Sequence, residues 1–202
     1  MRVLVGCEFS GVVRRAFRLA GHDAWSCDLL DSADGGEHIV GDVRSVLNDG
    51  WDLAIFHPPC TDLAVSGARY FASKGDRQAH ALEFVRQLLA APIPRVCLEN
   101  PVSVISTKIR RPDQIIQPHQ FGHPESKTTC LWLVGLPKLV PTAILEPTRW
   151  AVTPGGRRVA RWDNQTLGGQ NKLGPSDDRW KKRSETYLGI AKAMSQQWGN
   201  YE

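Results

Sequence analysis

No apolar run in this chain comes near the about 18 residues that a membrane-spanning helix requires, which excludes an integral membrane protein of that kind. The opening residues show no apolar leader either. Met1-Arg2-Val3-Leu4-Val5 passes straight into a strand pattern, and a cytoplasmic protein with no membrane partner is expected. Cysteine is sparse. Cys7, Cys27, Cys60, Cys97 and Cys130 are widely spaced and form no C-x-x-C pair, so neither a disulfide framework nor a zinc site is expected, and no metal is assigned. The G-x-G-x-x-G fingerprint and any internal repeat are also missing. With 42% hydrophobic and 23% charged residues over 202 positions, the composition is that of one sizeable core rather than a disordered chain. Positive charge is scarce until late: residues 1–136 hold 14 Lys and Arg against 15 Asp and Glu, and residues 137–202 hold 11 against 6. A basic appendage on a near-neutral body suits a polyanion-binding protein, although a merely solvated face would carry the same charge.

What is present reads as alternating strand and helix. Arg2–Val5 predicts a strand, Gly6-Cys7-Glu8-Phe9-Ser10-Gly11 a small-residue turn, and 12–20 a helix with apolar residues at helical spacing. A glycine-bearing turn at a helix N-terminus favours a negatively charged ligand, although any tight strand-to-helix turn needs small residues. Strands are predicted over 24–27, ending on Asp28, over 38–43 with Asp42 at its end, over 51–56 and over 95–98. A helix is predicted over 77–90, stopping before Pro92. Asp28 lies 17 residues after Gly11, near where nucleotide-binding α/β folds place a ribose-holding acid, and Asp42 joins it on the same sheet edge. Thr129–Val134 predicts a late, antiparallel strand. From Pro137 to Pro175 prolines, glycines and paired arginines dominate without a period, and Arg183–Trp198 predicts a final helix. The expected fold class is α/β, a doubly wound and mostly parallel sheet with a small irregular basic appendage.

Cys60 stands directly after Pro58-Pro59, at the end of the apolar run Leu53–Phe56. The prolines stop ladder pairing, so the cysteine falls where a sheet ends and a loop begins, the edge at which such sheets bind ligands. An isolated cysteine is more often a small buried hydrophobe. Here a second strand ends on Glu99-Asn100-Pro101. A thiolate and a carboxyl at one edge suit covalent attack on an aromatic heterocycle, the thiolate adding while the carboxyl protonates or hydrogen-bonds the ring nitrogen.

In these motifs the sequence resembles the cytosine-C5 DNA methyltransferase family, and in particular its short members from bacteriophages and prophages. Pro58-Pro59-Cys60 matches the family's Pro-Pro-Cys, Gly67 the glycine seven residues beyond it, and Glu99-Asn100 its Glu-Asn-Val with Pro101 in place of valine. Gly41-Asp42-Val43 resembles Gly-Asp-Ile, and Gly6-Cys7-Glu8-Phe9-Ser10-Gly11 stands for the Phe-x-Gly-x-Gly-Gly turn while keeping only its last glycine. Glu125-Ser126-Lys127-Thr128-Thr129 stands for Gln-x-Arg-x-Arg, with Lys127 supplying charge but no planar fork. Thr186–Ala191 resembles the C-terminal motif that closes the cofactor pocket.

The resemblance implies a class I S-adenosylmethionine-dependent methyltransferase fold. It implies a catalytic and cofactor domain over 1–136, a target-recognition-like segment over 137–182 and a returning helix over 183–202. Cys60 and Glu99 would be catalytic. Pro59, Asn100, Lys127, Arg157, Arg158 and Arg161 would bind substrate, with Asn164, Gln165, Gln170 and Asn171 as further candidates for phosphate or base contacts. S-adenosyl-L-methionine would be held by Gly6, Cys7, Glu8, Phe9, Ser10, Gly11, Asp28, Asp42, Val43, Pro58 and Gly189. The expected reaction is methylation of C5 of a cytosine flipped out of duplex DNA, through a covalent Cys60 adduct. Three alternatives stand beside it: the same chemistry on RNA or a nucleotide, a non-catalytic DNA-binding or partner subunit, and a nicotinamide-dependent oxidoreductase, which leaves Cys60 and Glu99 without a role.

Overall fold

A computed structural model of the chain describes residues 1–65 and 75–200. Gly67, matched above to a family glycine, lies outside the described residues. Five strands, β1 (Arg2–Gly6), β2 (Asp23–Asp28), β3 (His38–Val40), β4 (Leu53–Phe56) and β5 (Arg95–Pro101), pair in parallel. Beyond β5 come β6 (Gln114–Ile116) and β7 (Thr129–Val134), with β7 antiparallel to both neighbours, and the sheet order is 3-2-1-4-5-7-6. With helices on both faces this is the Rossmann-like class I methyltransferase fold. Its order reverses between β1 and β4, which makes the carboxyl ends of those strands the place for ligands.

Burial follows the two-residue period of the strands. Val3, Val5, Leu53, Ile55, Cys97 and Leu131 point to one face, where helices α1 (Val12–Leu19) and α5 (Leu188–Trp198) supply Val13, Phe17, Ile190, Met194 and Trp198. Leu4, Ala54, Phe56, Val96, Leu98 and Trp132 point to the other, against α2 (Gly75–Leu89) and the short α3 (Ile105–Lys108). The central strands β1, β4 and β5 are apolar on both faces, so they read as continuous hydrophobic runs rather than as alternating ones, while β2 buries Ser26 against Arg14 of α1.

Several expectations are corrected in detail. The strand predicted over 38–43 stops at Val40, and Asp42 instead caps a short 3-10 turn, its carboxylate accepting from Arg44 N–H at 2.9 Å. The predicted final helix is two: α4 (Arg179–Ser184) ends, Glu185–Tyr187 run extended, and α5 begins at Leu188. The stretch that showed no period contains an antiparallel hairpin, β8 (Arg149–Val152) with β9 (Arg158–Arg161). Among the described residues no helix is long and apolar enough to cross a membrane.

Candidate active site

At the end of β4 the chain leaves the sheet as His57-Pro58-Pro59-Cys60, and the neighbouring β5 fixes that exit. Asn100, 1% exposed, donates from Nδ2 to the Pro58 carbonyl at 2.9 Å. Past the cysteine, Leu63 and Ala64 N–H donate to the Cys60 carbonyl, while Val65 N–H donates to Val102 O and Val104 N–H to Leu63 O. Two strand ends are thereby tied together on both sides of Cys60. An intramolecular bond of this kind contributes about 1 kcal/mol each, but its value here is orientation.

Glu99 lies in this corner, with its carboxylate facing His57. His57 Nδ1 is 3.1 Å from Glu99 Oε2, and because a carboxylate only accepts, Nδ1 carries the proton. Burial alone would raise the Glu99 carboxyl, yet the His57 bond and charge, with Lys127 behind them, hold it below its ordinary value. Cys60 reaches the surface but is otherwise surrounded by protein. Its thiol is pushed up by desolvation and then by Glu99, while Arg183 and Lys127 pull it back toward the thiolate. The expected trio Cys60, Glu99 and Lys127 is thus brought together. Pro59 is exposed beside Cys60, and Pro58 is buried beneath it.

The other side of the switch point carries the candidate cofactor residues. Gly6 has no room for a side chain, since a Cβ there would fall 2.6 Å from Phe56 and 2.7 Å from the buried Val43. Cys7 adopts a left-handed backbone, φ 58°, that turns the chain, and Gly11 does the same at 69° before α1. Glu8 is 5% exposed and its carboxylate accepts from Val13 N–H at 2.7 Å and Arg14 N–H at 3.3 Å, with Ser10 Oγ at 3.4 Å. The α1 N-terminus, expected to favour an external anion, is therefore satisfied by the chain's own carboxylate. Asp28 and Asp42 both act electrostatically on Cys7 and Cys27, so the end of β2, the turn after β1 and the turn after β3 lie close together. Asp42 is paired with the Arg44 guanidinium, and Asp28 accepts from Leu30 N–H. Phe9 meets Trp180 of α4, ring centroids 5.8 Å apart. Gly189 packs against Phe121 and His123, its N–H donating to His123 Nε2, and a Cβ there would overlap the Phe121 carbonyl.

On the hairpin, the Arg158 guanidinium stacks over Trp150 at 4.4 Å, and Arg157 is exposed at the turn. Arg161 is engaged by carbonyls of Leu167 and Ala160. Asn164 and Gln165, read as base-contact candidates, are spent internally: Asn164 exchanges two hydrogen bonds with Ser126, and Gln165 Oε1 accepts from Trp162 N–H. The first of these pins the segment to the Lys127 loop. His119 stacks on Trp162 at 4.1 Å and 4°, and fixes the same segment to the body. Gln170 accepts no substrate-like contact of its own here, its N–H going to Thr166 Oγ1, and Asn171 Oδ1 accepts from Leu173 N–H.

Two residues escaped the sequence reading. His57 has no role in the sequence motifs, because its partner Glu99 comes from another strand. Arg183 lies in a run of surface cations, and only the fold brings it to Cys60.

No family model matches the chain, and no curated protein matches it in sequence. Among solved structures it is similar to a putative DNA modification methyltransferase encoded within a prophage of E. coli, with 16% identity and a TM-score of 0.49 over 73% of this chain and 53% of that one. It is also similar to a triple mutant of DNMT2 from Spodoptera frugiperda, with 14% identity and a TM-score of 0.45 over 73% and 55%. The matched part spans about half the length of those chains. The functional reading therefore rests on the chemistry of the site.

Proposed function

We propose that the protein is an S-adenosylmethionine-dependent DNA methyltransferase that acts on C5 of cytosine. One observation carries this reading: the fold ties Cys60 and Glu99, 39 residues apart in sequence, into one corner, with the charges of Arg183 and Lys127 acting on the thiol. The set combines a nucleophile, cations that offset part of the upward push on its thiol, and a carboxyl that can hydrogen-bond the ring nitrogen of the attacked base through a proton between them. The Cys60 thiolate attacks C6 of a flipped cytosine, a proton held between Glu99 and N3 neutralises the charge that develops on N3, and Asn100 keeps the loop on its strand.

The residues across the switch point fit the cofactor. Asp28 at the end of β2 and Asp42 in the turn after β3 both act on Cys7, and their carboxylates suit hydroxyl and amino donors. When bound, S-adenosylmethionine supplies the methyl group. The exposed Arg157 and the Arg158–Trp150 stack suit phosphate contact, with binding that weakens as salt rises.

Nucleoside mass spectrometry on total DNA and RNA from a methylation-free host tests this. The expected result is 5-methylcytosine in DNA with the wild-type chain and none with Cys60→Ala. 5-Methylcytosine confined to RNA would replace DNA with RNA as the substrate, and no modified nucleoside would sink the enzyme reading.

A further inference from the structure

Resting on that reading, we infer that His57 is a positioning residue that passes to Glu99 the proton placed on the base. His57 is 8% exposed in its side chain and touches Glu99 through Nδ1 at 3.1 Å. Its Nε2 is buried without a hydrogen-bond partner, and Glu8 feels the charge of the ring. Glu8 is itself immobilised by the Val13 and Arg14 amides. His57 thus holds Glu99 through one ring nitrogen and keeps the other buried and unpartnered.

The two carboxyls are biased in opposite directions. Burial raises Glu8 above its ordinary value, while Glu99 is held below its own. Such a split is how a fold separates proton-holding from charge-bearing groups. A carboxylate held ionised has no proton to give, so the base's proton needs another source. As the Cys60 sulfur bonds to C6, an electron pair moves to N3. The Nδ1–H bond of the His57 imidazolium breaks, the proton passes by way of Glu99 to N3, and neutral imidazole remains. When the C5 proton is lost to solvent and the Cys60–C6 bond breaks, the N3 proton returns along the same path. The charged and titratable groups around this path are Glu99 on β5, Glu8 in the β1–α1 turn, Lys127 before β7, which acts on Glu99, and Cys60 in the same loop.

The test is a 13C-histidine NMR titration of the full chain without cofactor or DNA, the His57 signal being assigned by its loss in His57→Asn. Removing the carboxylate charge that it touches, by Glu99→Gln, is expected to lower the His57 midpoint by about one pH unit. An unchanged midpoint overturns the linkage. In methylation assays, His57→Asn keeps a donor near Glu99 but cannot release a proton. It is expected to bind cofactor and DNA normally and to lose about 100-fold in kcat, flattening the alkaline limb of the pH profile. Wild-type kcat in that variant would overturn the proton role. If the wild-type chain methylates no cytosine, the destination of the proton falls with the functional reading, whereas the titration still decides whether His57 and Glu99 are coupled.

Discussion

The two sides of the switch point differ in how completely the chain satisfies itself. On the β1–β2–β3 side, polar groups are matched internally. Glu8 takes the α1 amides, Asp42 takes Arg44, and the buried Arg14 binds Asp34, Ser26 Oγ and the Glu37 carbonyl, leaving only its Nε without a partner. On the β4–β5 side, His57 Nε2, Asn100 Oδ1 and Ser103 Oγ are buried and unpartnered around a surface-reaching thiol. Unsatisfied buried polar atoms are costly, and they persist where function requires them. The first side is a scaffold, and the second holds the residues of the proposed chemistry.

Breaking that contrast on the reactive side has the largest expected effect. Cys60→Ser is expected to reduce methylation at least about 10,000-fold, because an alkoxide is far harder to form than a thiolate at neutral pH, while calorimetry shows unchanged cofactor affinity. Retained activity would remove Cys60 as nucleophile. On the scaffold side, Asp34→Ala leaves the 1%-exposed Arg14 without its partner and is expected to cost about 3 kcal/mol in urea unfolding at pH 7, with the rate of the folded enzyme preserved.

The sign of the pH dependence of that loss sharpens the contrast. Against the raising effect of burial, Arg14, Ser32 and Arg15 hold the Asp34 carboxyl below its ordinary value. A group depressed in the folded state contributes stability above its unfolded pKa, about 4, and loses it as pH falls toward the folded value. The difference between wild type and Asp34→Ala is therefore expected to shrink between pH 5 and pH 2, taken as about that window. A difference independent of pH would show that packing, not charge, is what Asp34 provides.

Smaller effects should follow at the loop tie and the hairpin. Asn100→Ala removes the bond to Pro58 O and is expected to cost about 1–2 kcal/mol in the activation barrier, read as lower kcat with similar cofactor affinity. Arg158→Ala is expected to weaken DNA binding by less than about tenfold and to lower the salt slope by about one, as measured by fluorescence anisotropy. A loss of affinity with no change in slope would make the Arg158–Trp150 stack structural rather than a phosphate contact.

The central sheet was legible because its strands are buried on both faces, so Val3–Val5, Leu53–Phe56 and Val96–Leu98 appear as uninterrupted apolar runs ending on the residues of the site. β6 was not. It is three residues long and carries the exposed Ile115, and only pairing with β7 makes it a strand. The hairpin is similar, being built on alternating half-exposed residues around a Gly155-Gly156 turn. The break between α4 and α5 has a tertiary cause: Lys127 Nζ donates to the Glu185 carbonyl and Tyr187 Oη donates to Glu125 at 2.5 Å, which holds the linker extended. Cys60 and Glu99 could be read from strand ends. His57 and Arg183 could not be assigned, since their partners come from other elements and no local spacing marks them.

The measurement that bears most directly on the central claim is a search for the covalent adduct itself. Host DNA in which cytosine is randomly replaced by 5-azacytosine has no C5 proton to lose, so an enzyme that adds to C6 stays attached whatever sequence it prefers. Nuclease and protease digestion followed by mass spectrometry of the trapped protein is expected to show the base on the peptide that contains Cys60. Attachment at another residue, or no attachment from a chain that still methylates DNA, would contradict the account.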